Sequence, residues 1–226
     1  MTKRGFTMIE LLVVIVIIGI LAALVVPGVN KALVQARFAE SQSNLHQIGL
    51  ALMLYSQDHD GKFPIARGSI PYDKTWQEGV STGDASWQTQ LIPYTGANEK
   101  IFFSPYSSAY NPKGRKWSYF LGAHAAEVDR QSQSPVPPER QALNLNKITA
   151  PTSHILAGED HRGVMDLTDS DKDDYDTNNP AFGYAGPDRK VNILFADGHI
   201  DSPKRFDAKK MAVKYEGVDP SYTGYE

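Results

Sequence analysis

Along the chain the hydrophobic positions fall into two regimes. Leu11 to Val26 carries no polar side chain, and Leu11 to Val29 is an unbroken run of 19 apolar, glycine or proline residues, which Ile9 extends past the single acid Glu10. At 1.5 Å per residue such a run spans roughly 28 Å as a helix, about one hydrocarbon core. Beyond it, apolar residues recur at three- and four-residue steps. Val29, Leu33 and Ala36, then Leu45, Ile48, Leu52 and Tyr55, predict one apolar face on a continuing helix. Ala32, Ala36, Ala39 and Ser43 add small residues that permit close helix packing. Asp60-Gly61 makes a turn and Pro64 forbids continuation, so the pattern predicts a helix from Phe6 to about Gln57, roughly 78 Å long.

After about Ser41 the chain is mixed and rich in Gly, Pro, Asn and Asp. Ile65 to Gly83 reads as loop. "DASWQTQLIPYTG" reads as a short helix with Asp84 as N-cap and Trp87, Leu91 and Ile92 facing inward, and "IFFSPYSS" as a short extended piece. "KWSYFLGA", "SHILAGED" and "VNILFADGHI" read as strands. Their near-continuous apolar runs predict central strands with a helix covering one face. Ser132 to Glu139 reads as a flexible loop, no repeat is visible, and nothing after about Phe206 is assigned.

With 226 residues there is room for one ordinary domain and an extra element. The net charge of −3 supplies no basic field, so no nucleic acid is expected as a partner. The absence of cysteine excludes disulfides and thiolate metal sites. Lys3 and Arg4 before the apolar run keep the N-terminus cytoplasmic and send the rest outward.

Glu10 discriminates among readings of the opening segment. A secretory signal has a shorter apolar stretch and a small-residue cleavage site. A plain signal anchor explains everything except Glu10 and the Gly5-Phe6 step, since a carboxylate near mid-bilayer costs about 2.5–3.5 kcal/mol and normally has a partner. The segment resembles the class III signal of type IV pilins and type II secretion pseudopilins. That resemblance implies cleavage by a prepilin peptidase after Gly5 on the cytoplasmic side, and N-methylation of Phe6. It assigns the assembly glutamate to Glu10, and the helix glycine and helix-kinking proline to Gly19 and Pro27. Cleavage creates a positive α-amino group on Phe6, one helical turn from Glu10. Within one subunit the two are close enough to pair; in the family the glutamate instead neutralises the terminus of a neighbouring subunit. Gly19 and Pro27 weaken the helix by about 1 and 3 kcal/mol relative to Ala, which allows local bending as subunits leave the bilayer.

A second resemblance covers the later chain. "SWQTQLIPY", "ITAPTSHILAGED" and "LFADGH" are similar to prepilin-type proteins with an H-X9-DG processing-associated domain. The sequence departs from that pattern twice: the family histidine falls on Pro187 and the cysteine before proline falls on Ser104.

Other candidate chemistry is weaker. "GVSTG" around Ser81 matches a nucleophile elbow, but the polar stretch before it lacks the required strand. Glu159, Asp160, His161, Asp197 and His199 would converge on a metal if their strands were neighbours, yet no ligand spacing supports a site, and the plainer reading is a turn at Asp197-Gly198 with surface histidines. Asp166 to Asn179 carries six aspartates. Asp169, Asp171 and Asp173 alternate as in a calcium loop, but Asp174 stands where glycine is needed and Pro180 where glutamate is, so it is no EF-hand. Either this is a solvated acidic loop, or calcium binds through Asp169, Asp171, Asp173 and Asp176, as late loops of some major pseudopilins imply. No other cofactor is expected.

The expected fold is α+β, pilin-like: a long N-terminal helix on a small antiparallel sheet with irregular loops. Its segments are a leader (1–5), a transmembrane and assembly helix (6–29), an amphipathic continuation (30–58) and a globular domain (59–226). The resemblance implies a structural subunit, not an enzyme, in the bacterial inner membrane with its domain in the periplasm, assembled into a type II secretion pseudopilus or type IV pilus-like filament. Implied partners are the peptidase, other pilin or pseudopilin subunits, an inner-membrane assembly platform and the lipid bilayer. A signal-anchored periplasmic enzyme and a non-filamentous binding module remain as alternatives.

Overall fold

In the computed structural model the described residues are 7–65, 87–105, 119–123, 125–126, 129, 132–135, 142–159, 190–204, 206–207 and 209–218. Helix α1 runs Met8–Asp58 and carries Pro27 in its interior. Proline has no N–H to give the carbonyl four residues back, so the ladder lacks one bond at Ala23. From Thr7 to Arg37 every residue except Val34 is exposed. Contact with the domain begins at Phe38 and continues through Ser41, Leu45, Ile48, Ala51, Leu52 and Ser56. The expected apolar face is thus split: Leu45, Ile48 and Leu52 are core, whereas Val29, Leu33 and Ala36 are exposed, because burial on the domain begins only at Phe38. The helix ends as its last carbonyls are taken up locally. His59 and Gly61 both donate to the Ser56 carbonyl, at 3.3 and 2.8 Å, and Asp60 and Gly61 turn the chain through positive φ.

Short helix α2, Trp87–Leu91, passes directly into a 3-10 turn at Ile92–Thr95. Trp87 and Leu91 are fully buried and Ile92 partly so; Asp84, its expected cap, lies outside the described residues. Where an extended piece is expected at "IFFSPYSS", its first residues belong instead to a 3-10 turn over Glu99–Phe102, capped by the Asn98 side chain on Lys100 N–H at 3.2 Å; Phe103 is extended, and residues 106–108 lie outside the described ones.

Four antiparallel strands follow: β1 Tyr119–Leu121, β2 Ile155–Glu159, β3 Ile193–Phe195 and β4 Ile200–Asp201, in the order β1-β2-β3-β4. The first three lie inside segments the pattern marked, but "VNILFADGHI" holds β3, a turn with Gly198 at φ +91 and only the first residue of β4, which runs on to Asp201. Tyr119, Leu121, Leu156 and Leu194 join α1 and α2 in one core. Phe120, Ile155, Ile193 and Phe195 form a second with Val191 and Met211. Burial on both faces explains why the strands are apolar without alternation. The cover on the far face comes from the C-terminal segment that the pattern left unassigned. It is tied in by Ile155 N–H to the Ala212 carbonyl at 2.9 Å and Ala212 N–H to the Ser153 carbonyl at 2.8 Å. On the near face, Gly49 lets the helix approach the sheet. A Cβ there would lie 3.1 Å from a Leu194 methyl carbon.

Candidate functional site

Two polar constellations stand out from this apolar frame, one at each end of the exposed helical stem. At the N-terminus Thr7 is the N-cap of α1. Its hydroxyl accepts from Glu10 N–H at 3.3 Å and donates to Glu10 Oε2 at 2.7 Å, while Thr7 N–H donates to the same oxygen at 2.8 Å. This reciprocal capping box leaves the only carboxylate of the stem folded onto the helix start, where the aligned peptide dipoles favour negative charge. Thr7 is a capping residue that was legible in the sequence, since T-x-x-E before an apolar run is the signature of that motif. Thr7→Val removes the hydroxyl and keeps the backbone donor. The expected loss is about 0.5–2 kcal/mol at the helix end, seen as faster amide exchange at Glu10 in detergent; unchanged exchange would remove Thr7 from the site. Gly5 and Phe6, the expected cleavage and methylation positions, lie outside the described residues.

Where the stem meets the domain, Glu159 at the end of β2 is buried. Ser41 of α1 is hydrogen-bonded to its Oε1, which also accepts from Ser104 Oγ at 3.0 Å, and Oε2 accepts from Asn192 N–H at 3.0 Å. Tyr119 Oη lies 2.8 Å from Ser41 Oγ. Asn192 Nδ2 donates to the Phe38 carbonyl at 3.4 Å, and its Oδ1 accepts from Ser202 Oγ at 2.6 Å. Burial pushes the Glu159 carboxyl up, against the pull of its donors, and burial together with Glu159 pushes the Tyr119 phenol up. Ser104, standing where the resembled family has cysteine, supplies one of those donors.

The metal cluster that neighbouring strand ends would build does not form among the described residues, and the plainer reading, a turn at Asp197-Gly198, is what the chain adopts there. Antiparallel pairing places Glu159 beside Asn192, whereas Asp197 and His199 sit past the opposite end of β3, where Asp197 N–H donates to the Pro151 carbonyl. Asp197 and His199 pair with each other, Nδ1 to Oδ1 at 2.5 Å, on an exposed turn. Asp160, His161, Ser81, Pro187 and the calcium candidates Asp169, Asp171, Asp173 and Asp176 lie outside the described residues.

His154, just before β2, is buried with Nδ1–H on the Lys214 carbonyl at 3.3 Å and Nε2 without a hydrogen-bond partner. Burial pushes it down from 6.5 to about 4. Between those values the unfolded chain binds a proton that the folded chain refuses. Stability is therefore full above the unfolded value and falls as pH drops across the window. His154→Phe should flatten that acid limb in thermal melts of the detergent-solubilised chain; an unaltered limb would assign it to other groups.

Residues 1–26 match the family described as "Prokaryotic N-terminal methylation motif", and residues 34–107 match "Protein of unknown function (DUF1559)". Among curated proteins, the type II secretion system core protein G of Klebsiella pneumoniae is 32% identical over 108 residues, 48% of this chain and 72% of that protein. The chain belongs to the pilin and pseudopilin family. The core protein G of Pseudomonas aeruginosa is 47% identical over 57 residues, 25% of this chain and 40% of that protein. The ComG operon protein 3 homolog of Bacillus licheniformis is 34% identical over 64 residues, 28% of this chain and 66% of that protein. This pilin-type chain therefore spans less than two thirds of the length of those last two relatives. No solved structure matches it. Its long helix on a small antiparallel sheet is the α+β arrangement expected, and α1 is long and apolar enough to cross a membrane, its most apolar stretch being unburied within the chain.

Proposed function

We propose that the chain is a structural subunit of a type II secretion pseudopilus or related type IV pilus-like filament. It is inserted in the inner membrane with its domain in the periplasm, cut between Gly5 and Phe6, methylated at Phe6, and polymerised with its stems packed inward. The observation that carries this reading is the bare stem: an apolar helical surface from Leu11 to Val26 that the domain leaves uncovered, headed by one carboxylate. A bilayer covers it before assembly and neighbouring stems cover it afterwards. At about 25 cal/mol per Å² of apolar area, the fifteen side chains of Leu11 to Val26 outweigh one ion pair by far. Burial of the stem therefore supplies the strength of association. Glu10 supplies register, by leaving its cap to meet the positive terminus of a neighbour's Phe6. Gly19 and Pro27 supply compliance. Partners are the prepilin peptidase, other pilin or pseudopilin subunits and a membrane assembly platform.

Intact mass and N-terminal sequencing of the protein from isolated membranes test the reading. A start at methylated Phe6 supports it. A start at Met1 leaves a simple anchored domain, and a cut after Ala23 a secreted one; either result overturns the proposal.

A further inference from the structure

The Glu159 cluster sits where the exposed stem first touches the domain. Phe38 is the first buried residue of α1, Ser41 the next, and the cluster holds both: Asn192 through the Phe38 backbone, Glu159 through the Ser41 side chain. It also ties together the turn at Ser104, β1 through Tyr119, and the approach to β3 through Asn192. Three stretches of chain thus meet on one carboxyl group, and a fourth, β1, is tied to it through Ser41. Ser41 faces it from α1, Ser104 from the turn and Asn192 from beside β3; Tyr119 from β1, with Asn44 of α1 beside its phenol, is the other titratable group. Among the described residues no lysine, arginine or histidine takes part, so an ionised Glu159 is a buried charge without a counter-ion, the state that low dielectric penalises most.

The hydrogen-bond geometry accommodates the acid form completely. A proton on Oε1 is donated to Ser41 Oγ, the Ser41 hydroxyl turns to Tyr119 Oη, and Tyr119 donates to the Ser41 carbonyl, 3.4 Å away. Ser104 Oγ and Asn192 N–H keep their acceptors. We propose that Glu159, working as a protonated acid, fixes the angle at which the apolar stem leaves the domain, and that its ionisation frees that angle. The structure thereby holds a pH-sensitive hinge at the root of the stem. Its consequence for assembly rests on the filament reading above: subunits with a fixed stem are competent to pack in register, and those with a freed stem are not. The hinge itself does not depend on that reading. Glu159 is a positioning residue, acting through α1.

The chain has no cysteine, so two introduced cysteines take spin labels with no competing native thiol. Ala32→Cys on the stem and Lys100→Cys on the domain are both at exposed positions. The distance distribution between them is read by pulsed electron resonance on the full chain in detergent, from about pH 5 to about pH 9. The expected result is a single narrow peak at acid pH that is lost on going alkaline. Glu159→Gln, neutral at every pH, keeps the narrow peak throughout, and Ser41→Ala loses it throughout. A distribution that does not move with pH in the otherwise native chain overturns the proposal, even if Glu159→Gln fails to fold. So does a Glu159→Gln chain that broadens with pH as the parent does. The measurement is made on monomers, so a chain that shows the hinge but never forms filaments would sink the filament reading and leave the hinge standing.

Discussion

Glu10→Ala is expected to leave membrane insertion at its normal level while filament assembly falls by roughly a hundred- to thousandfold. Insertion is driven by Leu11 to Val26, and removing a carboxylate from the head of that run makes entry easier. Assembly is another matter. Stripping one partner from a buried ion pair leaves the other charge uncompensated, at a cost of about 3–5 kcal/mol, and each 1.4 kcal/mol is about tenfold in an equilibrium. The capping box complicates a simple reading, because Glu10→Ala also removes the bonds to Thr7. Glu10→Gln separates the two effects, since glutamine serves in a capping box but carries no charge. If both variants insert and neither assembles, charge is the cause. If Glu10→Gln assembles normally, the cap matters and the ion pair does not. Filaments of normal abundance from Glu10→Ala would defeat the assigned role. The measurement is the ratio of sheared filament to membrane-bound subunit.

Trp87→Ala should destabilise the domain by about 3–5 kcal/mol, the usual cost of emptying a large aromatic site. Trp87 is fully buried at the start of α2 and meets Phe102 edge-on, with centroids 5.7 Å apart, in the core that receives Leu45, Ile48 and Leu52 of α1. Its indole Nε1 has no hydrogen-bond partner, so what the residue contributes is volume and contact. Trp87→Phe should therefore recover most of the loss. At about 2–4 °C per kcal/mol for a domain of this size, the alanine variant should melt about 10 °C lower in detergent while most helical signal persists, because the stem does not touch this core. Equal melting of the tryptophan and alanine chains would place Trp87 outside the load of the core.

Much of this architecture was written in local pattern. The three-and-four spacing of Leu45, Ile48 and Leu52 marks a helix face whatever lies opposite, and the runs around Tyr119, Leu156 and Leu194 mark strands because the sheet is covered on both sides. The split of the α1 face at Phe38 was not legible. Val29 and Leu33 look like Leu45 in sequence, and only the position of the sheet distinguishes them. The C-terminal segment has no legible period because Met211 packs on the sheet as one side chain and Ala212 joins it by a single bridge to His154. At the site, Gly5, Phe6 and Glu10 are legible as a linear motif, and Thr7 was equally available from its spacing to Glu10. Glu159 is visible only as an acid at a strand end, and would join Asp197 and His199 only if neighbouring strands brought those ends together. Antiparallel pairing reverses that. Its partners Ser41, Ser104, Tyr119 and Asn192 come from across the chain, so no spacing rule announces them.

The unaccompanied length of α1 has a mechanical consequence. Between Thr7 and Ser41 the helix extends about 50 Å, a rod held at one end only. A rotation of about ten degrees at the held end carries the far tip sideways by about 9 Å, which matches the roughly 8–10 Å between the axes of two packed helices. A rotation of that size at Ser41 is thus amplified, at Glu10, into the distance that separates one packed helix from the next.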